Sequence, residues 1–143
     1  MTSSVFPDVN VWLALSSPDH QRFTSAWNWY GALPSETALL FCRITQLGLL
    51  RLLTTQSVMG KGTLTQAQAW QAYDRWLEAG GTEFVTEPPE LEPAFRSRSG
   101  AAQASPKDWA DAYLAAFAKA AQLTLVTFDQ ALAGKAKGAV LLV

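Results

Sequence analysis

The chain has 143 residues, 49% of them apolar, and its formal net charge is −1 at pH 7. This length suits one domain with a core, and the apolar content excludes a chain that is disordered throughout. The balanced charge argues against a protein that holds nucleic acid mainly through a strongly basic surface, but it leaves open an enzyme that binds phosphates through metal ions.

Apolar strand-like runs alternate with helical stretches along the chain, which is typical of a parallel sheet. Strands are predicted at 5–6, 38–42, 82–85, 123–128 and 139–143. Helices are predicted at 9–15, 18–30, 43–55 and 65–79, more weakly from 88 to about 100, then from 105 to about 122 and at 129–133. We expect an α/β fold, a single domain over residues 1–143, with a central parallel sheet of four to five strands flanked by helices on both faces.

Three local signals refine these boundaries. Pro7 cannot donate a ladder hydrogen bond, so the first strand is expected to end at about Phe6. Ser17 suits the N-cap of the helix that starts at Pro18. Residues 96–105 form the most loop-like segment.

The rare residue types limit the chemistry and the location. A single Cys (Cys42) and a single His (His20) exclude a Cys/His zinc site. A lone cysteine in a predicted buried strand fits a reducing compartment. No signal-peptide pattern is visible, and no apolar run approaches the roughly 20 residues of a membrane-spanning helix. We therefore expect a cytoplasmic protein with no membrane segment.

Three aspartates lie beside apolar segments, with no Lys or Arg within three residues of any of them. Asp8 follows the first strand, Asp129 follows the fourth, and Asp111 lies in a helix that is apolar on nearly every side. Isolated buried charges are costly, and a shared divalent cation would account for all three. The carboxyl ends of parallel strands are also where such sheets bind ligands.

Each aspartate also has a purely structural interpretation. Asp8 and Asp129 suit the N-caps of the helices that follow them, and Asp108 completes Ser105-x-x-Asp108, a variant of the capping box that we take as its role. Asp111 lies past the cap positions. Taken together, the three carboxylates favour a cation site, and oxygen-only ligands select Mg²⁺, with Mn²⁺ as the alternative. Such a site suits the attack of water on a phosphodiester.

Four segments carry a family resemblance. They read PDVNVWLAL (7–15), ITQLGLLRLL (44–53), WADAYLAAFA (109–118) and VTFD (126–129). In this order and spacing, the chain resembles a PIN domain of the VapC toxin type over essentially its whole length. The resemblance implies the toxin of a type II toxin–antitoxin module, a metal-dependent endoribonuclease. It further implies a VapB-like antitoxin, a homodimer and a structured RNA target such as tRNA or rRNA.

The resemblance also implies an acidic site of Asp8, Asp111 and Asp129, which Asn10 and Thr127 support through hydrogen bonds. The chain departs from the family at Gln46, where a glutamate is usual. An amide oxygen brings no negative charge, so we expect one firmly bound Mg²⁺ and a second only when substrate phosphate is present. Asp108 is a candidate to replace part of the missing charge.

Arg96, Arg98 and Lys107 lie in an acid-free stretch before the helix of Asp111. They are candidates for guiding an RNA backbone toward the site, although a solvated mobile loop explains them equally well.

Two other functions remain open. A degenerate PIN domain would bind RNA or a protein partner without cleavage, and Gln46 keeps this alternative open. A phosphoryl-transfer domain of the receiver or haloacid-phosphatase type is less favoured, because the first strand ends Asp8-Val9-Asn10 and no suitable lysine follows the last strand.

Overall fold

The computed structural model describes residues 3–143, so the predicted domain bounds of 1–143 include two residues outside the described part. Its strands are β1 (Ser4–Pro7), β2 (Ala38–Phe41), β3 (Thr82–Phe84), β4 (Thr124–Thr127) and β5 (Val140–Leu141). Its α-helices are α1 (Val9–Ser16), α2 (Phe23–Gly31), α3 (Arg43–Leu53), α4 (Gln56–Met59), α5 (Gln66–Glu78), α6 (Leu91–Ser99), α7 (Asp108–Ala120) and α8 (Gln130–Lys135). A short 3₁₀ turn, Gly60–Gly62, follows α4.

The strands form one parallel sheet in the order β3-β2-β1-β4-β5, which confirms the predicted α/β architecture. β1 is central and includes Pro7, which pairs with Val126, so the strand ends one residue after the predicted end at about Phe6. The ladder tolerates this proline because the next residue, Asp8, donates its N–H to the Val126 carbonyl at 2.8 Å. Since all five strands are parallel, their carboxyl ends meet at one edge.

Alternate residues of each central strand enter two separate cores. Val5 and Val126 face a core built with α1, α2, α3 and α5, whereas Phe6 and Leu125 face a second core built with α6, α7 and α8. Because both faces are covered, the central strands are apolar on both sides, which is why they read as continuous apolar runs in the sequence. The prediction of helices on both faces is confirmed.

The start of α2 and the extent of the predicted loop at residues 96–105 differ from the prediction. α2 begins at Phe23 rather than Pro18, because turn bonds hold residues 18–22, such as the His20 N–H to the Ser17 carbonyl at 3.0 Å. Ser17 ends α1 instead of capping α2. Arg96 and Arg98 lie in the last turns of α6 rather than in a loop, and only residues 100–107 are irregular there. Among residues 3–143, no helix combines the length and apolar character needed to cross a membrane.

Candidate active site

Asp8 lies at the carboxyl edge of the sheet, immediately after the central strand β1. Its neighbours at this edge are Cys42, after β2, and Asp129, two residues after β4. Asp8 is only 8% exposed, whereas Asp129 is exposed to solvent. The sequence predicted a carboxylate at this edge, directly after the first strand, and Asp8 lies there.

Both carboxylate oxygens of Asp8 accept hydrogen bonds. Oδ1 accepts the Val9 N–H at 2.6 Å and so caps α1, and Oδ2 accepts the Thr127 hydroxyl at 3.0 Å. The fully buried Thr127 oxygen also accepts the Asp129 N–H at 2.9 Å. Thr127 therefore links the Asp8 carboxylate to the backbone of Asp129, and Asp8 is a helix cap as well as a candidate ligand.

Burial raises the pKa of Asp8 above its usual value of 3.8. The hydrogen bonds from Thr127 and Val9 oppose this shift, and the negative charges of Asp111 and Asp129 add to it. Asp111 and Asp129 thus add negative charge near Asp8, which is the electrostatic condition that a bound cation relieves.

Asp129 caps α8 as the sequence suggested. Its Oδ1 accepts the N–H groups of Ala131 at 2.9 Å and Leu132 at 3.3 Å. Its other oxygen, Oδ2, has no hydrogen-bond partner among residues 3–143, so the cap leaves one oxygen available for a ligand.

Asp111 has a cationic partner that the sequence pattern did not reveal. The Lys135 ammonium, at the end of α8, lies 3.3 Å from Asp111 Oδ2 and 3.0 Å from Asp108 Oδ1. The first turn of α7 is open to solvent, with Trp109 57% exposed and the Asp111 side chain 24% exposed. The expectation of a helix buried on nearly every side is therefore wrong for this turn.

The predicted capping role of Asp108 is also wrong. α7 begins at Asp108 itself, and Lys107 precedes it as the cap residue without a side-chain cap bond. The Asp108 carboxylate instead accepts the Ser105 hydroxyl and pairs with Lys135, and these contacts lower the pKa of Asp108. The same pairing raises the pKa of Lys135, so the ion pair is fully charged at neutral pH.

Gln46 is buried, and Arg43 holds its amide oxygen. The Arg43 guanidinium donates to Gln46 Oε1 at 2.6 Å, and it also lies over the Phe84 ring at 4.6 Å from the ring centre. An oxygen engaged by a guanidinium is a poor metal ligand. Sequence reasoning missed Arg43, although its position three residues before Gln46 on one helix is the signal that would have found it.

The PIN domain family model matches residues 5–138. The chain belongs to the PIN domain family. Ribonuclease VapC41 of Mycobacterium tuberculosis is 38% identical to it over 128 residues, which cover 87% of this chain and 88% of that protein. The family match displaces the receiver and phosphatase alternatives.

Solved structures share the fold of this PIN domain. VapBC2 from Rickettsia felis, bound to a DNA fragment from its promoter, gives a TM-score of 0.64 at 14% identity and covers 96% of each chain. Mycobacterium tuberculosis VapC20, a Sarcin-Ricin loop cleaving toxin, gives 0.63 at 15% identity and covers 91% of this chain and 93% of that chain.

The carboxylate oxygens of this PIN domain suit a hard cation, although the acidic side chains within residues 3–143 do not surround a common point. PIN-domain ribonucleases of the VapC type generally depend on a divalent metal. In the described part of the chain, no three acidic, His or Cys side chains already converge on one point that could hold a metal ion. Mutual repulsion and the pull of Lys135 on Asp111 both work against convergence. Asp8, Asp111 and Asp129 offer only carboxylate oxygens, the type of ligand that Mg²⁺ and Mn²⁺ prefer.

The other residues predicted to support the site or to bind RNA lie at different places relative to the three aspartates. Asn10 is exposed on α1, and its side chain makes no hydrogen bond within residues 3–143. Arg96 pairs with Glu92 on the same helix at 3.1 Å, with both side chains more than 70% exposed. Arg98 donates to the Lys135 carbonyl at 2.9 Å, which places it beside the acidic residues. Lys107 is exposed at the start of α7.

Proposed function

We propose that this PIN domain is the toxin of a type II toxin–antitoxin module and an Mg²⁺-dependent endoribonuclease. Its substrate would be a structured RNA, tRNA or rRNA, cleaved by a metal-activated water. One observation carries the proposal: the Asp8 carboxylate is buried at the sheet edge, with its pKa raised by burial and by the charges of Asp111 and Asp129. The relative VapC41, itself named a ribonuclease, supports the reaction class.

The proposed metal ligands are Asp8, Asp111 and Asp129. A carboxylate offers about four acceptor positions, so Asp8 still has lone pairs after binding Val9 and Thr127. Thr127 supports the site by fixing the orientation of Asp8. Asp108 supports it more remotely, by sharing the Lys135 ammonium with Asp111.

The reaction is a hydrolysis of a phosphodiester. The cation would lower the pKa of a bound water and offset charge on the phosphate. The water oxygen bonds to phosphorus, the P–O bond to one ribose breaks, and that ribose oxygen takes up a proton. The water's proton leaves by way of an acidic side chain or solvent. Because the nucleophile is water rather than a ribose 2′-hydroxyl, the products should carry no cyclic phosphate.

Basic side chains would bring the RNA to the acidic edge. Arg98 is the best placed, since it touches the Lys135 backbone. Lys107 is one residue from Asp108, and Arg96 would contact phosphate after leaving Glu92, because an exposed ion pair of that kind contributes only about 0–1 kcal/mol. Exposed Asn10 would contact substrate rather than orient a ligand.

The module would include a VapB-like antitoxin that blocks the site, and the toxin would act as a homodimer in the cytoplasm. The likeness of the fold to VapBC2, an antitoxin–toxin complex, supports the antitoxin. A buried free thiol at Cys42, whose pKa is raised by burial, is consistent with a reducing compartment.

A cleavage assay tests the proposed activity. We expect purified protein with Mg²⁺ to cut tRNA or rRNA, and Asp8→Asn and Asp129→Asn to lose at least about 100-fold in rate, as expected when a cation site is lost. Asp74→Asn, the same charge change on the exposed face of α5, is the matched control and should cut normally. Cleavage that persists in both site variants, or products that end in cyclic phosphate, would contradict the proposal.

The engaged amide of Gln46 favours one alternative, a PIN domain that binds RNA or a protein partner without cutting. Its oxygen bonds Arg43 instead of facing a cation, and it brings no charge. Tight RNA binding by gel shift, with no cleavage in Mg²⁺ or Mn²⁺, would favour this alternative. Activity gained on Gln46→Glu would then identify the missing carboxylate as the cause.

A further inference from the structure

Lys135 contacts two carboxylates at the candidate site. Its ammonium lies 3.0 Å from Asp108 Oδ1 and 3.3 Å from Asp111 Oδ2, so one cation already bridges two carboxylates in the first turn of α7. The Lys135 side chain is 38% exposed and that of Asp111 is 24% exposed. The Lys135–Asp111 ion pair is therefore partly exposed to solvent, and its two charged groups remain in contact.

The surrounding backbone holds Lys135 in this position. Asp129 begins α8 as its cap, and Lys135 ends the same helix, so α8 carries a proposed metal ligand at one end and the competing cation at the other. The Arg98 guanidinium donates to the Lys135 carbonyl at 2.9 Å. A cavity of about 300 Å³, lined by Arg98, Asp108, Ala112, Ala115 and Lys135, adjoins the ion pair.

We infer that Lys135 is a positioning residue that competes with the divalent cation for Asp111 and so sets how tightly the site binds metal. The inference rests on the proposed metal site. In this arrangement Asp111 Oδ2 accepts a hydrogen bond from the Lys135 ammonium, so a divalent cation would have to share Asp111 with a positive charge that already contacts it.

Charge and coordination support the same conclusion. Lysine carries a compact point charge with three donors, which suits two carboxylates at once, whereas Mg²⁺ demands near-octahedral oxygen ligands at about 2.1 Å. A divalent cation on Asp111 Oδ1 would share the single negative charge of that carboxylate with the ammonium on Oδ2. The ammonium also adds a positive charge beside the site, and that charge opposes a second cation by direct repulsion.

Mn²⁺ binding without RNA tests the inference directly. Chelator-treated wild type, Lys135→Met, Lys135→Arg and Lys137→Met are compared by calorimetry at one ionic strength, with folding checked by circular dichroism. We expect Lys135→Met to bind Mn²⁺ about three- to tenfold more tightly than wild type, because one nearby positive charge is removed. Lys135→Arg keeps the charge and should restore wild-type affinity. Lys137→Met removes an exposed lysine two residues away and should change little.

Three results would overturn the inference: Lys135→Met binds Mn²⁺ no more tightly than Lys137→Met, it binds more weakly, or none of the proteins binds Mn²⁺. Cleavage of RNA by the wild-type protein separates this failure from failure of the proposed function. If wild type cuts RNA with Mg²⁺ while Lys135→Met shows unchanged affinity, only the role of Lys135 is wrong. If wild type neither binds Mn²⁺ nor cuts RNA, the metal site itself is wrong.

Discussion

Asp8 caps α1, and the proposed metal site needs the same carboxylate to bind a cation. A helix cap needs a carboxylate oxygen aimed at backbone N–H groups, and a metal ligand needs lone pairs aimed at the ion. Here Oδ1 bonds only the adjacent Val9 N–H and Oδ2 bonds one hydroxyl, that of Thr127, so each oxygen retains acceptor capacity. Capping therefore orients the ligand without consuming it.

The raised pKa of Asp8 predicts how stability depends on pH. Its folded pKa lies above the usual 3.8, so the unfolded chain loses this proton first as pH rises. The free energy of unfolding of metal-free protein should therefore fall relative to Asp8→Asn as pH rises from about 4 through the folded pKa, and then level off. Urea denaturation in chelator between about pH 4 and pH 7 measures the difference between the two proteins.

This comparison isolates Asp8 from the neighbouring ion pair. Asp108, whose pKa is lowered by Ser105 and Lys135, contributes stability that is lost as pH falls, but it does so in both proteins and cancels in the difference. If the free energy of unfolding of the wild type instead rose with pH relative to Asp8→Asn, the hydrogen bonds to Asp8 would outweigh its burial. The pKa of Asp8 would then be lowered rather than raised.

The positions of the acidic residues were easier to predict from the sequence than the partners of those residues. Asp8 and Asp129 were predictable, because a residue after a parallel strand must lie at the carboxyl edge. Lys135 was not, because it meets Asp111 across two helices and 24 positions, and no local pattern fixes how α7 and α8 pack. The orientation of the Gln46 amide was equally hidden, since it depends on a contact with Arg43.

At the scale of elements, α1 and α3 touch closely beside the site. A Cβ built on Gly48 of α3 would come within 2.6 Å of a Val9 methyl group, and Val9 directly follows Asp8. Glycine inside a helix usually costs up to about 1 kcal/mol relative to alanine. Here the absence of a side chain at Gly48 permits α1 and α3 to approach each other, and this contact holds the start of α1 in place.

Gly48→Ala should therefore destabilise the protein by about 1–3 kcal/mol, because the clash with a stiff β-branched side chain exceeds the gain in helix propensity. Gly134→Ala in α8, where nothing lies within 4 Å, is the control and should be neutral or stabilising. Urea denaturation measures both. Adding Val9→Ala should recover much of the loss, and no recovery would mean that the contact is not the cause.

Element types were predicted more reliably than their ends. α3, α5 and α7 have clear apolar faces, and the structure contains all three. The start of α2 was misplaced because a proline and an aspartate resemble a helix start, whereas a turn centred on His20 uses those residues. The last turns of α6 looked like a loop because they are largely exposed and carry few apolar residues.

At the scale of the molecule, two cores share one sheet, and the site lies at the edge where both end. The fold class was predictable because buried parallel strands are apolar on both faces. The strand order was not determined by pattern alone, since it depends on which crossovers pack best. The order β3-β2-β1-β4-β5 makes β1 central and so gives Asp8 a buried position.

Metal binding should stabilise the whole domain, because the proposed ligands come from the starts of α1 and α8 and from α7. At about 100 times its dissociation constant, a ligand adds roughly 2.7 kcal/mol, which corresponds to a rise in melting temperature of about 5–10 °C. We expect this rise with Mg²⁺ in wild type but not in Asp129→Asn. Calorimetric scans with KCl at equal ionic strength are the control, and an equal rise with KCl would exclude specific binding.

The pairing of β1 with β4 has a consequence for synthesis on the ribosome. Thr127 reaches Asp8 across 119 positions, and Val5 pairs with Thr124. While β4 is still inside the ribosome, the central strand β1 lacks one of its two neighbouring strands. Asp8 then also lacks its hydrogen bond from Thr127, so the candidate site is not assembled. A protein that attacks RNA would thus stay inert beside the ribosomal RNA and tRNA that surround it during translation, until nearly the whole domain has emerged.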